Sequence, residues 1–398
     1  TGTAIAQAIP ILVSPILTRL YTPADFGALA LFISITSIVS VISCGRYELA
    51  IMLPEKDEDA INVAAVAFIF NVATSFLFLL FVIFLGDWLL NVLKAESLEG
   101  WIYLAPFTVF FMGVFNILNY TNNRFKLYRD IAKANVYKSI AMAVVQIGLG
   151  FLKMGAMGLL SGQIFSQLVA NIKLFKNVNK IGLLTKINVE NVKFLSRRYI
   201  NFPKYSMWAG LMNVSAYQVV NLLIGSYYGQ IALGHYFLAQ RVLLTPSVFI
   251  GTSISQVFFK SAMDEKIKTG QTIQTFKSTF KKLLIITIPT FLIVFLIVKP
   301  VFSIVFGKEW TDAGLYAMIL TPMYAVRFVS SVLSVTYIIF EYQKIEITIN
   351  FTIIFVSILG IFVFNKMLSY IFFNALALSF LYLMFIFIYR KFSFGNIL

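Results

Sequence analysis

Apolar runs of about twenty residues recur along the whole 398-residue chain and limit its fold more than any other feature. Two examples are the runs around Leu283–Val298 and Ile347–Phe364. A helix needs about 20 mostly apolar residues to cross a bilayer, whereas the strands of a membrane barrel alternate apolar and polar residues over about ten. The sequence therefore predicts an all-helical, polytopic membrane protein and excludes a β-barrel.

Composition excludes the main soluble classes. Hydrophobic residues make up 59% of the chain and charged residues 12%, whereas soluble domains carry about 25% charged residues. No soluble fold of this size has enough interior to bury so many apolar side chains. A soluble enzyme, a disordered chain and a secreted disulfide scaffold are therefore all excluded.

The residue types needed for metal or catalytic chemistry are scarce. Cys44 is the only cysteine, so the chain can form neither an internal disulfide nor a thiolate metal site. His235 is the only histidine, and no Walker-type phosphate-binding loop is present. We expect structural roles for Cys44 and His235. The sequence predicts no catalytic residues, no metal and no cofactor, and hence a protein that is not an enzyme.

About twelve membrane spans can be placed on the sequence, and a short segment is expected to precede Thr1 because the chain does not begin with Met. The spans cover about 1–20, 25–45, 60–86, 101–122, 135–152, 156–175, 206–228, 232–259, 283–306, 313–340, 345–365 and 369–389. The first, seventh and eighth spans contain polar residues and proline. Such helices are tolerated where they face protein or a water-filled cavity, so we expect these three to line a cavity.

The positions of the basic residues predict the orientation. With both termini in the cytoplasm, about 24 of the 32 Lys and Arg residues fall in cytoplasmic connections and about 6 on the other side. This bias follows the positive-inside rule. Most of the net charge of +15 is thus a topology signal, and no nucleic-acid partner is predicted.

The long basic connection in the middle of the chain marks the predicted boundary between two lobes. We expect a six-helix lobe over 1–180, a basic cytoplasmic linker over 181–205 and a second six-helix lobe over 206–398. A weak internal repeat, in which Gln7 and Gln218 align, is consistent with two lobes of the same orientation. Within the linker, Ile187–Tyr199 is either an amphipathic helix on the inner leaflet or a solvated connection.

Four arginines and one glutamate lie within or at the ends of predicted spans, where a charge costs about 2.5–3.5 kcal/mol on insertion scales. Arg241 is the deepest, Arg327 lies near the middle of the tenth span, and Arg19 ends the first. Arg46 and Glu48 end the second span, and we expect a structural role for Glu48. Acidic residues are rare in the other spans, so we interpret the arginines as an anion site, because guanidinium binds phosphate in bidentate fashion. The alternative is that they bond helix carbonyls or extend to the interface.

The polar side chains of the weaker spans are the second set of candidate site residues. They could bind sugar hydroxyls or a coupling ion, or form hydrogen bonds between helices. The set consists of Gln7, Asn213, Gln218, Asn221 and Gln240, and it also includes Glu48 from the end of the second span.

Two segments near the N-terminus resemble the Wzx-type O-antigen flippases, in the polysaccharide transporter branch of the MOP superfamily. They are residues 2–27, which contain the run PILTRLYTPADFG, and residues 46–54, RYELAIMLP. The resemblance implies two six-helix lobes around a central cationic cavity. It also implies export of an undecaprenyl-pyrophosphate-linked oligosaccharide across the bacterial inner membrane by alternating access.

The same resemblance implies roles for individual residues. Ala239–Arg241, followed by Pro246, is similar to the cavity arginine motif of lipid II flippases, which supports Arg241 as a pyrophosphate ligand. Arg46 matches a basic position in those relatives, whereas Arg327 has no counterpart. Lipid II flippases have about fourteen spans rather than twelve, so lipid II itself is a poorer match.

Two other functions fit the residues less well. A MATE-like cation or drug antiporter would need carboxylates in its cavity, and these are nearly absent. A membrane-embedded polymerase or glycosyltransferase would need a large external loop or catalytic carboxylates, and neither is visible. The expected partners are therefore the lipid-linked oligosaccharide, membrane lipids and other polysaccharide assembly proteins.

Overall fold

The computed structural model describes residues 2–180, 186–340, 342 and 344–395, and within them all regular structure is helical. Twelve long helices of this part of the chain, numbered here in chain order, correspond one to one with the predicted spans. They are α1 (Gly2–Leu20), α2 (Pro23–Ser43), α3 (Asp57–Leu93), α4 (Ala105–Arg124), α5 (Tyr128–Phe151), α6 (Ala156–Lys180), α7 (Met207–Tyr228), α8 (Gln230–Thr269), α9 (Ile273–Phe306), α10 (Thr311–Leu333), α11 (Lys344–Val363) and α12 (Met367–Phe392).

This architecture confirms the predicted all-helical class. Among the described residues, eight helices are long and apolar enough to cross a membrane: α2, α3, α4, α5, α7, α9, α10 and α12. Two shorter apolar segments, Ile5–Leu20 and Thr348–Val363, lie in α1 and α11. The remaining long helices, α6 and α8, are less apolar because both carry polar side chains inside the bundle, among them the buried Gln167, Asn171 and His235.

The described residues form two compact units, the first ending at Leu233 and the second beginning at Gly234. The division lies at the start of α8, C-terminal to the predicted linker, because α7 packs along α2. Ser34 on α2 and Gln218 on α7 are hydrogen-bonded at 2.9 Å, and this contact keeps α7 in the first unit. The lobe boundaries given above remain a prediction, and residues 181–185 of the predicted linker lie outside the described residues.

Helix α2 is the central helix of the first unit and packs against α4, α6 and α7. Its start is fixed by a capping box, in which the side chains of Thr22 and Asp25 each accept a hydrogen bond from the backbone N–H of the other residue. Pro23 in the first helical turn suits the fixed φ of proline. Gly27 is required one turn later, because a Cβ there would overlap the carbonyl oxygen of Gln230.

The connection between α6 and α7 includes one short amphipathic helix, Val189–Arg198, which begins at the N-cap Asn188. Leu195 is buried against the α3 side of the first unit, in a cluster with Tyr47 and Val63. The Tyr47 hydroxyl donates a hydrogen bond to the Ser196 carbonyl at 2.8 Å. One face of this helix is thus held by the first unit, while Phe194 on another face is exposed.

In the second unit, α10 packs between α9 and α12. Side chains at one end of the unit join its helices. The Glu265 carboxylate accepts hydrogen bonds from the backbone N–H groups of Gln274 at 3.0 Å and Thr275 at 2.7 Å, which caps the start of α9. Lys266 Nζ donates to the carbonyl of Ile339 at 2.6 Å.

Candidate functional site

The second unit contains a cavity of about 370 Å³ between α8 and α10. The described residues that line it carry one guanidinium group, hydroxyl groups and an amide, and none carries a carboxylate. The polar lining residues are Arg327, Tyr324, Ser247, Thr252, Ser255, Ser331 and Gln256. The Ser247 and Ser331 hydroxyls donate within their own helices, to the Leu243 and Phe328 carbonyls at 2.9 Å each. The Arg327 guanidinium is therefore the group of this lining that is best suited to an oxygen-rich anion.

The α8 wall of the cavity follows from the spacing of small residues along the helix. Ser247, Gly251 and Ser255 recur every four residues, so they stand on one face of α8. A Cβ at Gly251 would meet Phe328 of α10 only at ordinary contact distance, 3.5 Å. Small residues at these positions leave the space that the cavity occupies, where larger ones would fill it.

Arg241 lies on α8 beyond one end of this lining. Positions 241, 244, 248, 251 and 255 are separated by three or four residues and therefore share a face of the helix, and the last four of them line the cavity. Arg241 stands one turn before Leu244 on this stripe and is half-buried. The helix therefore places Arg241 and the cavity on the same side of α8.

Arg327 reaches the cavity from α10. Its guanidinium carbon lies 5.7 Å from the centre of the Tyr324 ring, a distance typical of a cation–π contact. Gln240, also predicted for the site, donates a hydrogen bond from Nε2 to the Tyr236 hydroxyl of its own helix α8 at 3.0 Å.

Arg46 has a different setting, in the first unit. Its Nη1 lies 3.8 Å from Oε1 of Glu48, and the two side chains are 29% and 5% exposed. Gly45 and Arg46 both have left-handed backbone conformations, with φ of 59° and 61°, so the chain turns sharply after α2. A Cβ at Gly210 of α7 would lie 3.2 Å from the guanidinium carbon of Arg46. Gly210 therefore leaves the space in which this ion pair sits.

The ion pair does not satisfy all of its own polar atoms. Nε of Arg46 and Oε2 of Glu48 are both buried and make no hydrogen bond within the described structure. Glu48 is the carboxylate closest in sequence to Arg46, and it lies close in space as well. The sequence placed Arg46 among the pyrophosphate ligands, and that role remains a prediction.

Three further predicted residues lie on α7. Gln218 and Asn221 form a hydrogen-bonded cluster with Ser34 of α2, in which Asn221 Nδ2 donates at 3.3 Å to both partners. Asn213 is half-buried one turn before this cluster. The cluster joins α2 to α7, which is the interhelical role open to these amides in a membrane.

The remaining predicted residues and the two chemically reactive side chains lie elsewhere. Gln7 and Arg19 are exposed on α1. His235 is buried, with Nε2 at 3.0 Å from the Glu309 carbonyl oxygen and its ring edge-on to Trp310. Cys44 is also buried. Among the residues searched in the described chain, no cluster of three or more His, Cys, Asp or Glu could hold a metal ion.

The hydroxyl-bearing residues of the cavity were not among those predicted from the sequence. The four-residue spacing of Ser247, Gly251 and Ser255 was a readable signal, because small residues at this spacing mark a close or open helix face. Ser331 and Tyr324 gave no comparable signal. Their role depends on α10 facing α8, and the sequence does not specify which helices are neighbours.

A model of the family described as "Polysaccharide biosynthesis protein" matches residues 16–315 of the chain. No curated protein sequence matches the chain significantly. The match covers the Arg46–Glu48 pair and every residue of α8 that lines the cavity, and it ends before Arg327.

Solved structures of membrane transporters share the fold. The chain is similar to "Lipid II flippase MurJ, inward closed conformation", with a TM-score of 0.75, 13% identity, and coverage of 97% of this chain and 87% of that one. An inward-facing multidrug resistance MATE transporter of the MOP superfamily gives a TM-score of 0.71 at 14% identity, covering 98% and 94%. An outward-facing conformation of such a transporter gives 0.63 at 13% identity, covering 98% and 93%. At these identities the likeness shows the fold, which is the MOP-type fold expected above, and leaves function open.

Proposed function

The chain belongs to the polysaccharide biosynthesis protein family, and from this premise we propose that it is a flippase for a lipid-linked oligosaccharide. Its substrate is an undecaprenyl-pyrophosphate-linked oligosaccharide, such as an O-antigen repeat unit. The protein moves this substrate from the cytoplasmic to the periplasmic leaflet of the bacterial inner membrane by alternating access. The similarity in fold to a solved lipid II flippase supports the proposal.

The observation that carries the proposal is the lining of the Arg327 cavity. A pyrophosphate headgroup is a dense anion with many acceptor oxygens, and it needs donors and positive charge to leave water. Arg327 supplies a guanidinium group, Ser255 a hydroxyl and Gln256 an amide. Since none of the described lining residues is acidic, an anion that enters meets no repulsive charge from the lining.

We assign roles to the other predicted residues on the same basis. Arg241, on the same face of α8 as the cavity, is a second pyrophosphate ligand, and Arg46 and Arg19 contribute to the positive field. The polar side chains contact sugar hydroxyls or take part in coupling; they are Gln7, Asn213, Gln218, Asn221, Gln240 and Glu48. The proposal includes two six-helix lobes with both termini in the cytoplasm. The polyprenyl tail of the substrate stays in the lipid.

A cation antiporter is the competing function, because MATE transporters share the fold. Binding a cation in a cavity requires carboxylate or carbonyl oxygen ligands. The described lining of the Arg327 cavity offers no carboxylate, and the buried Glu48 is close to Arg46. These observations favour an anionic substrate.

The proposal is tested by restoring surface polysaccharide in a strain that lacks its flippase. Wild-type protein should restore it, Arg241→Ala and Arg327→Ala should each lower restoration at least about tenfold, and Arg241→Lys should recover part. Lysine keeps the charge but lacks the bidentate geometry of guanidinium. Lys281→Ala, which removes an exposed cation outside the cavity, is the matched control. Full restoration by both arginine-to-alanine variants, at normal membrane levels, would refute the anion cavity.

A further inference from the structure

A second cavity of the second unit is apolar along its length and basic at one end. It encloses about 360 Å³ between α9, α10 and α12. Phe280 and Leu284 of α9, Val326 and Val329 of α10 and Leu383 of α12 are among its apolar lining residues. Several lining side chains are also exposed on the protein surface, so the cavity is a groove that faces outward. In a membrane helix bundle, such a face meets lipid.

The groove is about as long as one leaflet is thick. Along α9 its lining runs from Lys277 to Ile288, which at about 1.5 Å per residue is roughly 16 Å. The hydrocarbon core of a bilayer is about 30 Å thick, so each leaflet contributes about 15 Å. Lys277 precedes the predicted span 283–306 and Ile288 lies within it, so a lipid chain in the groove would enter from the predicted cytoplasmic surface.

Two cations mark the end at which a headgroup would sit. Lys277 lies in the second turn of α9 and Arg390 in the last turns of α12, and both line the groove with exposed side chains. No acidic residue is among the described lining residues. This end coincides with the side that the distribution of Lys and Arg predicts to be cytoplasmic. The groove thus has an apolar lining that suits an acyl chain and two basic side chains at one end that suit an anionic headgroup.

We infer that this groove binds an anionic phospholipid of the adjacent leaflet. One acyl chain lies among Phe280, Leu284, Val329 and Leu383, and the phosphate accepts hydrogen bonds from Lys277 Nζ and the Arg390 guanidinium. The site is separate from the Arg327 cavity and does not depend on transport. Its effect would be to hold α9 and α12 together through a bound lipid, because ligands that bind only the folded state stabilise it.

The charge requirement can be tested by native mass spectrometry of the purified protein in equimolar phosphatidylglycerol and phosphatidylethanolamine. Each cation near an anionic headgroup contributes about a fivefold preference, so wild-type protein should retain phosphatidylglycerol about 20- to 30-fold over phosphatidylethanolamine. The double variant Lys277→Gln/Arg390→Gln should lose this preference. The matched control Lys281→Gln/Lys391→Gln removes the same net charge from neighbouring positions outside the groove and should keep it.

The chain requirement is tested by filling the groove. Ala325→Trp places a large side chain among the lining residues and should reduce retention of both lipids, whereas Ala325→Val should have a smaller effect. Thermal denaturation with and without phosphatidylglycerol checks that the variants fold and measures the stabilisation directly. Equal losses in the two double variants, no headgroup preference in the wild type, or displacement by polyprenyl phosphate but not by phosphatidylglycerol would each overturn the inference.

Discussion

Arg46 and Arg327 are the same residue type in different surroundings. Arg46 of the first unit stands 3.8 Å from Glu48, in a space left open by Gly210. Arg327 of the second unit opens into a cavity whose described lining contains hydroxyls and no carboxylate. The first arginine has a carboxylate of its own chain beside it, and the second lines a cavity. Position within the apolar sequence alone does not reveal which of these surroundings an arginine has.

The two units use their other polar side chains in correspondingly different ways. In the first unit, buried amides bind backbone carbonyls of neighbouring helices. Asn71 Nδ2 donates to the Phe110 carbonyl at 3.0 Å, and Asn171 Nδ2 donates to the Phe111 carbonyl at 2.9 Å. Such bonds stabilise helix contacts where water is absent. In the second unit, Ser247 and Ser331 line a cavity, and their hydroxyls donate to carbonyls of their own helices at 2.9 Å each.

The largest effect should come from filling the cavity of the second unit at Gly251. Gly251→Leu should abolish restoration of surface polysaccharide, with a loss of at least about tenfold, because the side chain occupies the space between α8 and α10. Gly251→Ala is the control, since its Cβ meets Phe328 and Val332 only at 3.5 and 3.6 Å. Both proteins should unfold thermally close to the wild type. Normal restoration by Gly251→Leu would show that the cavity is not on the transport route.

The next largest effect should come from removing Glu48 in the first unit. Breaking a buried ion pair by deleting one partner costs about 3–5 kcal/mol, and partial exposure of Arg46 lowers the expected loss for Glu48→Ala to about 2–4 kcal/mol. The double variant Arg46→Met/Glu48→Ala should regain much of this loss, because no charge is then left alone. Denaturation of the four proteins of this double-mutant cycle measures the coupling. Additive effects would show that the pair makes no contribution.

The sequence was sufficient to predict the helices, and their physics explains why. Each span is defined by a run of apolar residues long enough to cross a bilayer, a property independent of its neighbours. The ends of the helices were less predictable. Helix α3 continues to Leu93 and α8 to Thr269, because neither extension contains a proline or glycine that would end the helix.

The site was only partly predictable, for a related reason. Arg46 and Glu48 are two residues apart, so their proximity could be inferred from the sequence. The approach of Asn71 to Phe110, and of Ser331 to α8, depends on which helices pack together. No local pattern specifies which helices pack together. For this reason the arginines could be predicted from the sequence, whereas the hydroxyl-bearing residues that line the cavity with Arg327 could not.

The first unit is tightly packed where the second has an open cavity. Enlarging a glycine in the first unit should therefore lower stability, by less than the loss of Glu48 does. A Cβ at Gly113 of α4 would overlap the Asn71 side-chain amide, so Gly113→Ala should cost about 1–3 kcal/mol, as overpacking typically does. Gly148→Ala on α5 is the matched control. No atom lies within 4 Å of its new Cβ, and replacing a helical glycine should stabilise the protein by about 0.5–1 kcal/mol. Equal thermal stability of the two variants would contradict this packing.

The smallest loss of stability should come from breaking a partly exposed ion pair of the first unit. Comparison with the Arg46–Glu48 pair then shows how much burial raises the cost of breaking a pair. Lys173 Nζ lies 2.7 Å from Asp130, and its hydrogen bond lowers the pKa of that carboxyl. A lowered pKa in the folded state means that the pair stabilises the protein above about pH 4 and ceases to do so as Asp130 is protonated below that pH. Asp130→Asn should therefore cost less than about 1 kcal/mol at pH 7, and its difference from the wild type should shrink on acidification.

The control is Asp264→Asn, at an exposed position of α8, which should change stability by less than about 0.5 kcal/mol. A loss for Asp130→Asn as large as that for Glu48→Ala would mean that burial is not what makes the Arg46–Glu48 pair costly to break.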